Sequence, residues 1–111
     1  MTAPGDIYFI EFSNTVGREQ AGQRPAIIIA VADFSQLQIV IPLTTNLDRL
    51  RLAFTHRVHP NSVNGLASES VALVFQVTSA SDARIGRRIG KLDDSDLEEI
   101  KTLLRNYLEI S

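Results

Sequence analysis

Apolar residues recur along most of the chain in short runs separated by polar connectors, and near its end at three- and four-residue intervals. Segments 6–12, 24–31, 36–43, 54–59 and 70–77 are rich in Ile, Val and Phe and bounded by turn residues, which predicts β-strands. Tyr8-Phe9-Ile10-Glu11-Phe12 and Ile27-Ile28-Ile29 are the clearest of them. After Gly90 the period changes. Leu97, Ile100, Leu103, Leu104, Tyr107 and Leu108 then fall on one face of a helix. Ser95 followed by Glu98 predicts a capping box at its start, and Asp93, Asp94 and Asp96 suit the positive end of the helix dipole. Residues 46–51 and 61–68 read as polar loops. Short strands followed by a single helix predict a mainly β chain whose small sheet is strongly bent or partly closed into a barrel, because an open sheet of this size leaves costly edges. The apolar face of the helix must cover a barrel end or sheet face, and a dimer partner could share that burial. With no repeat or linker in view, residues 1–111 are expected to form a single domain.

Composition narrows the class without selecting a function. The chain has 111 residues, 44% of them hydrophobic, but no apolar stretch near the length a membrane-crossing helix needs. Its start, Met1-Thr2-Ala3-Pro4-Gly5-Asp6, has neither the basic nor the apolar region of a secretory signal, so a cytoplasmic location is expected. There is no cysteine, which removes disulfides and thiolate metal sites. The two histidines, His56 and His59, stand three apart, so on a strand they point to opposite faces and are poorly placed to share a metal. The net charge of −2 argues against nucleic-acid binding by bulk electrostatics. Positive charge would have to be local.

The run Val16-Gly17-Arg18-Glu19-Gln20-Ala21-Gly22-Gln23-Arg24-Pro25 lies between two predicted strands and sets a carboxylate and a guanidinium on one glycine-flanked loop. Such a loop can hold a phosphate, and Pro25 fixes the backbone where the next strand begins. It resembles the "GxEQxGxRP" segment of the MazF/PemK toxins, small endoribonucleases of toxin–antitoxin pairs. Gly5-Asp6-Ile7-Tyr8 resembles that family's opening, Val40-Ile41-Pro42-Leu43-Thr44-Thr45 its "VxPxT" strand end, and Ile89-Gly90-Lys91-Leu92-Asp93 its closing "IGxLD". The resemblance implies an SH3-like (CcdB/PemK-type) barrel with a C-terminal helix, and a homodimer. It also implies a metal-independent, cofactor-free, sequence-selective attack on single-stranded RNA by the substrate's own 2′-hydroxyl. The implied protein partner is a cognate antitoxin whose acidic tail occupies the RNA groove.

The residue chemistry fits such a reaction. Internal transphosphorylation needs stabilisation of a phosphorane, removal of the 2′-proton and departure of the 5′-oxygen. Arg24 offers a planar fork of donors matched to phosphate oxygens, and Thr44 a hydroxyl donor at a strand end. The resemblance makes Arg24 and Thr44 the catalytic pair. Glu19 is the candidate base, and Gln20, Gln23, Thr45, Gln76, Thr78 and Arg84 are candidate substrate-binding residues. Without the resemblance, Arg24 reads as a solvated or structurally paired charge and Thr44 as an ordinary strand-edge residue. Arg84, Arg87, Arg88 and Lys91 make the densest basic cluster, which reads equally as a solvated connector or a phosphate track. Two departures from the family pattern matter. Phe75 and Thr78 stand where many members carry a carboxylate and a cation, and Gln23 where some carry histidine, so a member that binds without cutting remains an alternative; a gyrase inhibitor is another, because CcdB shares the implied fold.

Overall fold

A computed structural model describes residues 2–12, 22–32 and 36–109. Within them seven strands form one antiparallel system: β1 (Asp6–Glu11), β2 (Gln23–Ala32), β3 (Leu37–Thr44), β4 (Thr55–Val58), β5 (Ser70–Leu73), β6 (Thr78–Ser81) and β7 (Ile85–Lys91), followed by α1 (Asp94–Leu108). The sheet runs β4-β5-β3-β2-β1-β7, with β6 paired to the other part of β3. The expected mainly β body with a C-terminal helix is what forms.

Strands β2 and β3 are covered on both sides, which explains why Ile27-Ile28-Ile29 is unbroken rather than alternating. Ile27, Ile41 and Leu43 face one way into a cluster with Ile7, Leu92 and the α1 residues Leu97 and Ile100. Ile28 and Val40 face the other way, packing with Ile10, Ala26 and Ala80. Each fully buried isoleucine contributes about 1.5–3 kcal/mol through burial. Leu103 and Leu104 extend the helix face along the core, and Tyr107 meets Phe54 with ring centroids 5.1 Å apart.

Several boundaries differ from the sequence expectation for physical reasons. Gln36 and Phe54 adopt left-handed backbone (φ 58° and 59°), so β3 and β4 begin one residue later than predicted. The segment 70–77 is not one strand. It breaks after Leu73 into a 3-10 turn, Val74–Gln76, because β5 pairs with Leu43 and Thr44 whereas β6 pairs with residues 37–40. The turn supplies the register shift between those two pairings. The predicted loop at 46–51 contains a 3-10 turn, Leu47–Arg51, capped by the Asn46 side chain. Strands β6 and β7 were not predicted, and the basic cluster belongs largely to β7 rather than to a connector. The capping box does not form. Asp93, not Ser95, is the N-cap, Ser95 lies inside the helix, and the Asp93 carboxylate takes hydrogen bonds from Asn61 (3.2 and 3.3 Å).

The predicted loop at 61–68 is docked tightly on β7. Asn64, fully buried, is its centre: its carbonyl oxygen accepts from the N–H groups of Asn61 (3.1 Å) and Leu66 (3.0 Å), and its amide donates to the His59 carbonyl (2.8 Å). Gly65 has a positive φ of 68°, and a methyl group there would run into the Ile89 carbonyl. A methyl at Gly90 would collide with the Asn64 carbonyl. The Lys91 N–H bonds to the Val63 carbonyl at 3.0 Å and closes the contact.

Candidate active site

Ala26 on β2 pairs with Pro42 on β3, and Ile10 on β1 pairs with Arg24. That β2–β3 pairing ends at Ala26 and Pro42, two residues from Arg24 and Thr44, which lie at the adjacent ends of the two strands. They line a cavity of about 220 Å³ together with Pro25, Leu43, Thr45 and Ser70. Arg24 is half-buried, and its backbone is paired to Ile10 of β1.

Thr44 is prepared for donation. Its hydroxyl oxygen accepts the backbone N–H of Asn46 at 3.2 Å, while the Asn46 side chain accepts from the Asp48 N–H at 3.1 Å. With its oxygen used in this way, the Thr44 O–H can point its proton toward an anion in the cavity. Ser70, nearly fully buried, donates to the Ser68 carbonyl at 3.1 Å and forms the wall on the β5 side. Sequence reasoning passed over Ser70 because a serine at the start of an apolar strand carries no distinguishing signal; only the pairing of β5 with the end of β3 brings it here.

The remaining candidates divide. Glu19 and Gln20 lie outside the described residues. Gln23, exposed at the start of β2, stands beside the Arg24 position, and Thr45 lines the cavity. Thr78 and Arg84 line a different groove, of about 240 Å³, with Glu11, Phe12 and Ala80. There, among the described residues, the Arg84 guanidinium reaches the Glu11 carbonyl, at 3.5 Å. Gln76 is exposed on the 3-10 turn after β5, and the half-buried Phe75 is held there by its N–H bond to the Phe54 carbonyl (3.3 Å). The histidines go to separate partners: His56 Nε2 meets Asp96 at 2.8 Å and His59 Nδ1 meets Glu69 at 2.7 Å. Among the described residues, no three His, Asp or Glu side chains converge as a metal site. Hydrogen bonds from His59, and secondarily from Arg57, hold the Glu69 carboxyl below its ordinary 4.5.

Comparisons with known proteins bear on the family and the fold. Residues 3–108 match the family model described as PemK-like, MazF-like toxin of type II toxin-antitoxin system. Endoribonuclease EndoA of Bacillus subtilis is 31% identical over 109 residues, spanning 96% of this chain and 93% of that protein. The fold is similar to that of MazF from Deinococcus radiodurans, with a TM-score of 0.77 at 22% identity over 98% and 97% of the two chains. It is likewise similar to a mycobacterial endoribonuclease solved in complex with its cognate antitoxin, with a TM-score of 0.75 at 17% identity over 100% and 98%. A family model spanning almost the whole chain and a relative matched nearly end to end lead to one conclusion: this chain belongs to the PemK-like, MazF-like toxins of type II toxin–antitoxin systems.

Proposed function

We propose that this protein is an endoribonuclease toxin that cleaves single-stranded RNA by attack of the 2′-hydroxyl on the adjoining phosphate, leaving a 2′,3′-cyclic phosphate and a 5′-hydroxyl. The observation that carries this reading is the placement of Arg24 and Thr44 in one small cavity at the adjacent ends of β2 and β3. A guanidinium and a hydroxyl donor directed at one phosphate stabilise the charge that grows in the phosphorane, and removing one such preorganised donor typically raises a barrier by about 2.7–4 kcal/mol. The nucleophile is part of the substrate, so the protein has no water to activate and no metal is required for the chemistry. Glu19 is assigned the base role on chemical grounds alone. Phe75 has no acid–base chemistry and Thr78 no charge, so the mechanism concentrates on Arg24 and Thr44.

The match to EndoA favours RNA over a gyrase target. By likeness to the mycobacterial complex, a cognate antitoxin is the protein partner, with carboxylates of its tail standing in for RNA phosphates at Arg24. A homodimer formed by this single domain, and a cytoplasmic location, complete the reading. No helix among the described residues is long and apolar enough to cross a membrane.

The decisive experiment incubates a long single-stranded RNA with the protein in EDTA. The native protein should cut it, and Arg24→Ala should cut about a hundredfold more slowly or worse. A 2′-deoxy sugar at the mapped cut should block cleavage there; normal cutting at that sugar rules out the internal nucleophile.

A further inference from the structure

A second cavity, of about 380 Å³, opens directly beside the Arg24–Thr44 cavity and shares Pro25, Thr45 and Ser70 with it. The two form one continuous depression. The second is larger and its character is different. Phe9, Leu66 and Ile89 give it an apolar floor, Ser68 and Thr45 place hydroxyls on its rim, and Arg87 lies across one side with its guanidinium carbon 4.9 Å from the centre of the Phe9 ring. That volume falls in the range of small-ligand sites. The far wall is the Asn64 loop, set against β7 by the Gly65 and Gly90 contacts, so the opening is preformed rather than a gap between mobile chains.

We propose that this cavity receives a nucleobase, that of a nucleotide adjoining the phosphate held by Arg24 and Thr44, and that Arg87 stacked on Phe9 is the platform on which it lies. The proposal rests on the RNA-cleaving reading and extends it to a residue the family resemblance did not single out. Three observations converge. The cavity adjoins the Arg24–Thr44 cavity through Pro25, Thr45 and Ser70, as a strand leaving the phosphate there requires. Its floor is apolar while its rim is polar, matching a base with a flat π-face and hydrogen-bonding edges. Its one charged group among the described residues is the Arg87 guanidinium, centred 4.9 Å over the Phe9 ring, which can offer a planar face to the base and a positive charge to the neighbouring phosphate. Arg87 is exposed, so that contact does not serve to fill the core.

The test is equilibrium binding, which needs no turnover. Two non-cleavable 2′-O-methyl strands of equal length, one carrying bases and one abasic throughout, are titrated with the native protein and with Arg87→Ala, Arg87→Lys and Phe9→Leu, each checked for native circular dichroism. Arg87→Ala should weaken the base-bearing strand about tenfold and the abasic strand far less. Arg87→Lys, which keeps the charge and loses the plane, should behave like Arg87→Ala, and Phe9→Leu should show the same base-dependent loss. Equal losses on both strands, or full rescue by lysine, would reduce Arg87 to a phosphate contact and overturn the assignment; so would native binding by Phe9→Leu. Because Arg24→Ala and EDTA-resistant cleavage test the enzyme separately, a base-selective loss without cleavage leaves this subsite standing and removes the ribonuclease. The opposite pattern removes only the subsite.

Discussion

The two polar depressions, one at the C-terminal end of β3 and one between the end of β1 and β6, contain the same kinds of residue but are built differently. Beside the end of β3, Arg24 is half-buried in a strand paired to β1, and Thr44 has its oxygen occupied by the Asn46 N–H, so both residues belong to strands with fixed partners. Beside β6, Arg84 extends from an exposed 3-10 turn and meets one backbone carbonyl at 3.5 Å among the described residues, while Thr78 opens that short strand. Preorganisation separates them, not composition. A donor fixed by two strands stabilises developing charge without reorganising, whereas one on a surface turn must first give up its freedom.

That contrast can be tested by paired substitutions measured on one RNA. Arg24→Ala should lower the cleavage rate about a hundredfold or more, whereas Arg84→Ala should leave kcat nearly intact and at most raise KM a fewfold, with a reduced salt dependence. Equal losses in the two variants would mean that the depressions act as one site. Next in size is a structural effect. Gly90→Ala forces a methyl against the Asn64 carbonyl, so thermal or urea unfolding should show a loss of about 1–3 kcal/mol, and the wall beside Thr45 should loosen. Smaller still, Thr44→Ser keeps the hydroxyl and should retain most activity, while Thr44→Val should lose about tenfold, the worth of one hydrogen bond to a charged group.

The smallest effect concerns pH. The folded pKa of Glu69 lies below its unfolded value, so its interactions with His59 and Arg57 stabilise the fold above the unfolded pKa near 4.5 and are lost as pH falls through the lower folded value. Glu69→Gln should therefore flatten the acid limb of the stability curve slightly while leaving neutral-pH cleavage unchanged. The size stays small because about a third of the Glu69 side chain faces water.

The central strands and the helix were legible because burial imposes a pattern on them. Residues 24–31 predicted β2, observed over Gln23–Ala32, and the spacing from Leu97 to Leu104 marked the helix face that packs on the core. Strands β6 and β7 were not. Thr78-Ser79-Ala80-Ser81 and Ile85-Gly86-Arg87-Arg88 are small, polar or basic, and strands so exposed carry no hydrophobic alternation to detect. The Arg24–Thr44 pairing came from the family resemblance, since a strand register cannot be read from either residue alone. Phe9 and Arg87 are 78 positions apart in the chain, and only the β1–β7 pairing brings them together. Asn64 looked like one more loop asparagine until its burial revealed a structural hub.

Strand β3 gives up one edge to β2 and divides the other between β5 and β6, so its partners come from segments far apart on both sides in sequence. Such a strand cannot settle until the segments before and after it have arrived, which makes its assembly cooperative with that of the whole body. The Arg24–Thr44 cavity at its end, walled by Ser70 of β5, is therefore complete only when both flanks are in place. Loss of that cavity on denaturation is expected to coincide with loss of the fold as a whole.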